Sequence, residues 1–220
     1  KERVGYPTQK PLALLERIIK SCTQENDIVL DPFCGCGTAI VGAEKLKRKW
    51  IGIDITHLAI TVIRERLNDV FGFMPSYISK GEPVDLDGAY DLANNDRFQF
   101  QIWALALLGI RTEMKKGADG GVDGVQYFEN GKELKKCIIQ VKSGKVSVKD
   151  VRELHSVVLR ENGETGLLVT LKPPTRNMVK EASTYGLYQT NRNESFPVIQ
   201  IVEVKELLKH EKALKDFIPV

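Results

Sequence analysis

The chain has 220 residues, 42% hydrophobic and 28% charged, with a net charge of +3, which suits one or two soluble globular domains able to bury a core. No apolar run approaches the ~20 residues a membrane span requires, and no charged-then-apolar leader opens the chain, so the sequence reads as cytoplasmic and free of the membrane. The slight basic excess lies in the second half and by itself points only weakly to nucleic acid. Cys22, Cys34, Cys36 and Cys137 form no CxxC pair, which argues against zinc and a disulfide framework; they read as reduced and buried. The first residue is Lys1 rather than Met, so the chain reads as a fragment.

Pro11 suits the first turn of a helix whose Leu12, Leu15, Ile19 and Cys22 fall on one face. A short β-branched strand, Ile28 to Leu30, runs into DPFCGCGT (31–38), and a helix over Ala39 to Leu46 follows. Strand Trp50 to Ile53 and helix Leu58 to Val70 complete a parallel βαβ pattern. The glycine- and proline-rich text after Phe71 lacks sustained periodicity and is assigned to a linker over 73–94.

The second half opens with an apolar helix, Phe98 to Leu108, and the turn GADGGVDG (117–124). Strands Val122 to Phe128 and Cys137 to Val141 form a hairpin about ENGK. Helices over Val148 to Arg160, Arg176 to Tyr185 and Val204 to Lys212 alternate with strands Leu167 to Leu171 and Val198 to Val202, giving a compact α/β domain. Trp103, Tyr127, Phe128, Val151, Leu154 and Val158 read as core.

Two clusters suggest chemistry. Gly35 and Gly37 sit where a strand meets a helix, so backbone N–H groups there can approach a ligand closely, and Asp54 at the tip of the second strand can accept ribose hydroxyls; a plain tight turn is the alternative. Gln140 and Lys142, two apart on one strand, share a face. If Asp123 lies opposite, the three converge into a group able to hold Mg²⁺ and hydrolyse a phosphodiester; the alternative is a turn aspartate beside an edge-strand lysine. Lys115, Lys116, Lys145, Lys149 and Arg152 flank this cluster and can meet phosphates, or serve as solvated surface. His57, His155 and His210 have no partner at catalytic spacing.

YPTQKP (6–11), DPFCGCGT (31–38) and IGIDI (51–55), in that order, resemble the S-adenosylmethionine-binding half of amino-methylating DNA methyltransferases. The resemblance implies that Thr8, Gln9, Lys10, Pro11, Asp31, Pro32, Phe33, Gly35, Gly37, Thr38 and Asp54 contact that cofactor. It also implies a DPPY- or SPPY-type segment to hold the flipped target base, and this sequence contains none. In the circularly permuted branch it would lie upstream of Lys1, so no methyl transfer is expected from this chain alone. A two-stranded sheet would leave an open edge, through which a homo-oligomer could form.

Residues 95 to about 205 are similar to the Mrr-type branch of the PD-(D/E)XK nucleases. The resemblance implies Asp123, Gln140 and Lys142 as catalytic residues, with Mg²⁺ held by Asp123, Gln140 and the carbonyl of Val141. The family's first-helix glutamate is replaced here by Gln99 or Gln101, and Asp119 is a substitute candidate. Together the resemblances imply an α/β protein: a partial Rossmann-like cofactor lobe over 1–72, then a restriction-endonuclease-like domain with a central mixed sheet over 95–220. The implied whole is part of a fused restriction and modification protein acting on double-stranded DNA. The competing reading makes the second domain a non-cleaving DNA-binding module.

Overall fold

The computed structural model describes residues 6, 8–73, 75–110, 120–209 and 214–218. Lys115, Lys116, Asp119, His210 and the last residues of the helix expected to reach Lys212 lie outside them. The chain divides into two compact units, Lys1–Glu82 and Pro83–Val220.

In the first unit, helix α1 (Leu12–Cys22) leads to strand β1 (Ile28–Asp31), helix α2 (Thr38–Lys45), strand β2 (Lys49–Gly52) and helix α3 (His57–Phe71). β1 and β2 pair in parallel, Ile28 with Lys49 through Asp31 with Gly52. Ile40, Val41, Ile63 and Leu67 from α2 and α3 make a small core with Cys34. Strand side chains alternate between faces, and Ile28, Leu30, Ile51 and Ile53 are left exposed. The sheet is therefore open on an apolar face, as two strands alone require.

The second unit holds helices α4 (Leu86–Asn95) and α5 (Arg97–Leu107), strands β3 (Gly124–Asn130) and β4 (Glu133–Lys142), helix α6 (Val148–Arg160), strand β5 (Thr165–Thr170) and helix α7 (Arg176–Ser183). Strands β6 (Leu187–Gln189), β7 (Ser195–Pro197) and β8 (Ile199–Glu203) and helix α8 (Val204–Leu208) follow. The central sheet runs β3-β4-β5-β8, with β3 antiparallel and the others parallel. The mixed sheet is thus as expected. All six residues of β5 and Cys137 to Val141 of β4 are buried, the continuous apolar run of strands covered on both faces. Cys137, Ile139, Leu167 and Val169 pack with α4, α5 and α8; Ile138 and Leu168 pack with α6 and α7.

Several local readings change. Half of the expected linker is α4, which buries Ala89 and Ala93 in the core of the second unit. The other half joins the first unit, where the Tyr77 ring packs tilted against Trp50 and Arg64 binds Tyr77 and Glu82. The β3–β4 hairpin is longer than expected and turns at Gly131 and Lys132, with Gly131 in the left-handed region. Tyr127 is exposed rather than core, because alternation buries its neighbour Phe128 instead. Cys22 is exposed, being on the last turn of α1, while the other three cysteines are buried. Among the described residues no helix is long and apolar enough to cross a membrane.

Candidate cofactor loop and nuclease centre

In the first unit the loop after β1 is held at both ends by backbone bonds: Cys34 N–H donates to the Ile53 carbonyl at 3.0 Å, and Gly37 N–H to the Cys34 carbonyl at 2.7 Å. Gly37 has φ +71°, and a Cβ there would lie 2.7 Å from Ile63, so both backbone and space demand glycine. Asp54 closes the loop from the side: one carboxylate oxygen accepts the Gly35 N–H at 2.9 Å, the other the Thr56 N–H and hydroxyl at 3.0 and 2.9 Å. A carboxylate offers roughly four acceptor positions, so Asp54 already spends most of its capacity on the loop, a use the sequence reading did not foresee.

Tyr6 lies against the loop, its ring 3.2 Å from where a Gly35 Cβ would stand. Burial first, then the charge of Asp54, raises the Tyr6 phenol above its ordinary range. Gln9 N–H donates to the Tyr6 carbonyl, and Pro11 precedes α1, its carbonyl accepting the Leu14 and Leu15 N–H groups. Thr8, Lys10 and Phe33 are exposed, and Asp31 accepts the Phe33 N–H at 3.2 Å. Pro32 and Thr38 bracket the turn, with Thr38 buried at the start of α2.

One contributor was missed. Arg66 is buried on α3 and donates to the Cys36 carbonyl at 3.1 Å and the Thr38 hydroxyl at 2.9 Å, pinning the loop from below. The signal was available: Ala59, Ile63, Arg66 and Leu67 share the buried stripe of α3, so a charge occupies a core position.

In the second unit, Asp123 N–H donates to the Ile139 carbonyl at 3.0 Å, continuing the β3–β4 register by one residue. The Asp123 carboxylate turns along the strand and accepts the Val141 N–H at 2.7 Å. Gln140 and Lys142 point to the α6 side, alternating with Ile139 and Val141. Gln140 is 1% exposed; its Nε2 donates to the Gly121 carbonyl, and its Oε1 has no hydrogen-bond partner among the described residues. Gly121 sits at φ +84°, and a Cβ there would be 3.0 Å from Gln140 Nε2. Arg160, from the end of α6, holds the preceding Gly120 carbonyl at 2.6 Å.

Lys142 leans toward α6, where Asp150 Oδ1 is 3.9 Å and Glu153 Oε1 3.8 Å from its Nζ. Asp123, Gln140 and Lys142 therefore gather at one end of β4, under a loop clamped by Gln140 and Arg160. Among the described residues no group of three His, Cys, Asp or Glu side chains could hold a metal ion; the oxygen set here is one carboxylate, one amide and the Val141 carbonyl. Hard oxygen donors of this kind fit Mg²⁺, and the buried Gln140 amide oxygen has no partner among the described residues to compete for it. Gln99 and Gln101 are half-buried on α5, which Asp96 caps through the Phe98 and Gln99 N–H groups.

An acid, an amide and a lysine thus meet at the end of the hairpin at one edge of a mixed α/β sheet, and comparison with known proteins gives the family. Residues 96–210 match the family model for the Mrr-type catalytic domain, described as restriction endonuclease, and the chain belongs to that family. Residues 1–65 match a second family model, described as DNA methylase. The type II methyltransferase M2.LlaDCHI of Lactococcus lactis subsp. cremoris is 52% identical over 63 residues, 29% of this chain and 23% of the relative. The chain spans about a quarter of the length of such curated relatives.

Among solved structures, the M1.HpyAVI–SAM complex is 46% identical, with 30% of this chain and 33% of that one covered and a TM-score of 0.30. The MspJI restriction endonuclease in complex with a 27-mer oligonucleotide is 16% identical, with 61% and 34% covered and a TM-score of 0.41. The chain thus carries a segment similar to DNA methylases over residues 1–65, followed by an Mrr-type restriction endonuclease domain over 96–210.

Proposed function

We propose that the second unit is a Mg²⁺-dependent endonuclease of double-stranded DNA. The observation that carries this reading is the buried Oε1 of Gln140, without a hydrogen-bond partner among the described residues, beside Asp123 and Lys142 at the end of β4. Asp123, Gln140 Oε1 and the Val141 carbonyl would hold the ion. When bound, it would offset phosphate charge and lower the pKa of a water molecule.

The chain's own residues do the rest. The Asp123 carboxylate is fixed by the Val141 N–H, so it meets the site already oriented. Gln140 is fixed by Gly121, and Lys142, on the same face, sets its ammonium beside the phosphate and the attacking water. The water oxygen bonds to phosphorus as the opposite P–O bond to sugar breaks; the water gives up its proton and the departing sugar oxygen takes one up. Lys145, Lys149 and Arg152 follow on or just before α6, where they would add salt-dependent phosphate contacts; Arg152 is meanwhile paired with Glu181 at 2.7 Å.

The first unit would bind S-adenosylmethionine on the DPFCGCGT loop, with Thr8 to Pro11 over it and Asp54 at its side, and without methyl transfer by this chain alone. Its open apolar β1–β2 sheet supports self-association, which sedimentation of the purified chain would detect.

Incubating supercoiled DNA with the full chain and Mg²⁺ or Mn²⁺ tests the nuclease. Nicking is expected and should vanish in Asp123→Ala with folding intact. Binding without cuts would instead be the behaviour of a non-cleaving module, and equal cleavage by Asp123→Ala would remove the assignment of that residue.

A further inference from the structure

We infer that Glu153 is a positioning residue for Lys142, acting on its ammonium from α6. The inference rests on the nuclease reading of Asp123, Gln140 and Lys142. Lys142 Nζ lies between two carboxylates one helical turn apart, Asp150 Oδ1 at 3.9 Å and Glu153 Oε1 at 3.8 Å. These two acids differ in freedom. Asp150 is committed to the helix start, where its other oxygen accepts the Ser147 N–H at 2.8 Å and the Ser147 hydroxyl at 3.1 Å in a capping box. Glu153 belongs to no cap. It also borders the catalytic loop directly, since a Cβ built on Gly121 would touch Gln140 Nε2 at 3.0 Å and Glu153 Oε1 at 3.7 Å.

Glu153 is therefore adjacent to both the amide that would meet the ion and the ammonium that would meet the water. α6 is held rigidly against the sheet through Val151, Leu154, Val157 and Val158, so the carboxylate starts from a fixed backbone. A separation near 3.8 Å draws the ammonium toward α6 without locking it, and the flexible lysine stem keeps the reach to swing to a phosphate. The geometry gives Glu153 the task of limiting Lys142 to the side of the strand where DNA arrives.

The test is a double-mutant cycle in the full chain, read as single-turnover nicking. Glu153→Ala should slow the chemical step roughly three- to tenfold, the scale of a partly exposed ion pair, with DNA half-saturation unchanged. Glu153→Asp should recover part of the loss. In a Lys142→Ala background, Glu153→Ala should cost nothing further. A readout independent of turnover accompanies it: the Mg²⁺-induced shift of the urea midpoint should stay at its wild-type size in Glu153→Ala, since the residue acts on lysine and not on the ion. Full rates in Glu153→Ala, an undiminished loss in the Lys142→Ala background, or a lost Mg²⁺ shift would each overturn the inference while leaving the nuclease reading intact. A wild-type chain that cuts no DNA overturns both.

Discussion

Replacing Gln140 by leucine separates the proposed ion-binding role of this side chain from its packing role. Gln140 is buried in the sheet; its Nε2 serves the Gly121 carbonyl and its Oε1 serves no described group. Leucine fills a similar volume without polar atoms. Losing the donor to Gly121 removes about 1 kcal/mol, with a further cost for a carbonyl deprived of it, while relieving an unpaired buried oxygen returns about 1–3 kcal/mol. These terms nearly cancel, so Gln140→Leu should change the stability of the metal-free protein by less than about 1.5 kcal/mol. Gln140→Ala leaves a cavity instead and should cost about 2–4 kcal/mol.

The ion then discriminates. At ten times its half-saturating concentration Mg²⁺ should stabilise the wild type by RT ln 11, about 1.4 kcal/mol, and the leucine variant by nothing. Two tryptophans divide between the two units, so Trp50→Phe leaves Trp103, buried in α5, as a fluorescent reporter of the second unit alone. Urea curves with and without Mg²⁺ would then be read on one cooperative transition. A wild type whose midpoint ignores both Mg²⁺ and Mn²⁺, or a leucine variant that shifts equally, would refute the reasoning that the orphaned oxygen awaits an ion.

Gly37→Ala forces a left-handed φ on alanine and drives its Cβ to 2.7 Å from Ile63; it should destabilise the first unit by about 2–4 kcal/mol and abolish S-adenosylmethionine binding measured by calorimetry. Arg66→Met removes the donor held by the Cys36 carbonyl and the Thr38 hydroxyl, with an expected loss of about 1–3 kcal/mol in the Trp50 unfolding transition and weaker cofactor binding. Thiol labelling of the native chain should modify Cys22 alone, because Cys34, Cys36 and Cys137 are buried and burial pushes the Cys34 thiol up to about 11. Burial likewise pushes the Cys137 thiol up to about 12; the unfolded chain ionises near the ordinary value of 9, so stability from this group is whole below pH 9 and falls as pH rises from there toward 12. Urea midpoints at pH 8 and 10.5 should therefore diverge more in wild type than in Cys137→Ala, and equal slopes would refute the assignment.

Legibility in the sequence followed the size of the apolar signal. β4 and β5 were readable because Cys137 to Val141 and Leu167 to Thr170 are nearly unbroken apolar runs, which a strand covered on both faces needs. α4 was passed over because its buried residues are alanines, Ala89 and Ala93, set among aspartates, asparagines and a glycine. Small side chains on one helical face bury well and score poorly. β6 and β7 are three residues each and mostly exposed, so neither alternation nor length marks them. The DPFCGCGT turn could be read from its glycines, yet the use of Asp54 could not, since that carboxylate meets the Gly35 N–H across two strands rather than along one.

The same distinction governs the nuclease centre. Spacing along β4 places Gln140 and Lys142 on one face, and a hairpin brings Asp123 beside them, so three residues can be named from local pattern. What spacing cannot give is the surface they face, because α6 packs there through Val151, Leu154 and Val157, and only that packing carries Asp150 and Glu153 to Lys142. Nor can it show that Gln140 spends its amide N–H on Gly121 while its oxygen meets no hydrogen-bond donor among the described residues. An amide so arranged can accept only through that oxygen. The residues that name the candidate site are local in sequence; the carboxylates that reach Lys142 come from the helix packed across the sheet, and nuclease activity should require both sets in register.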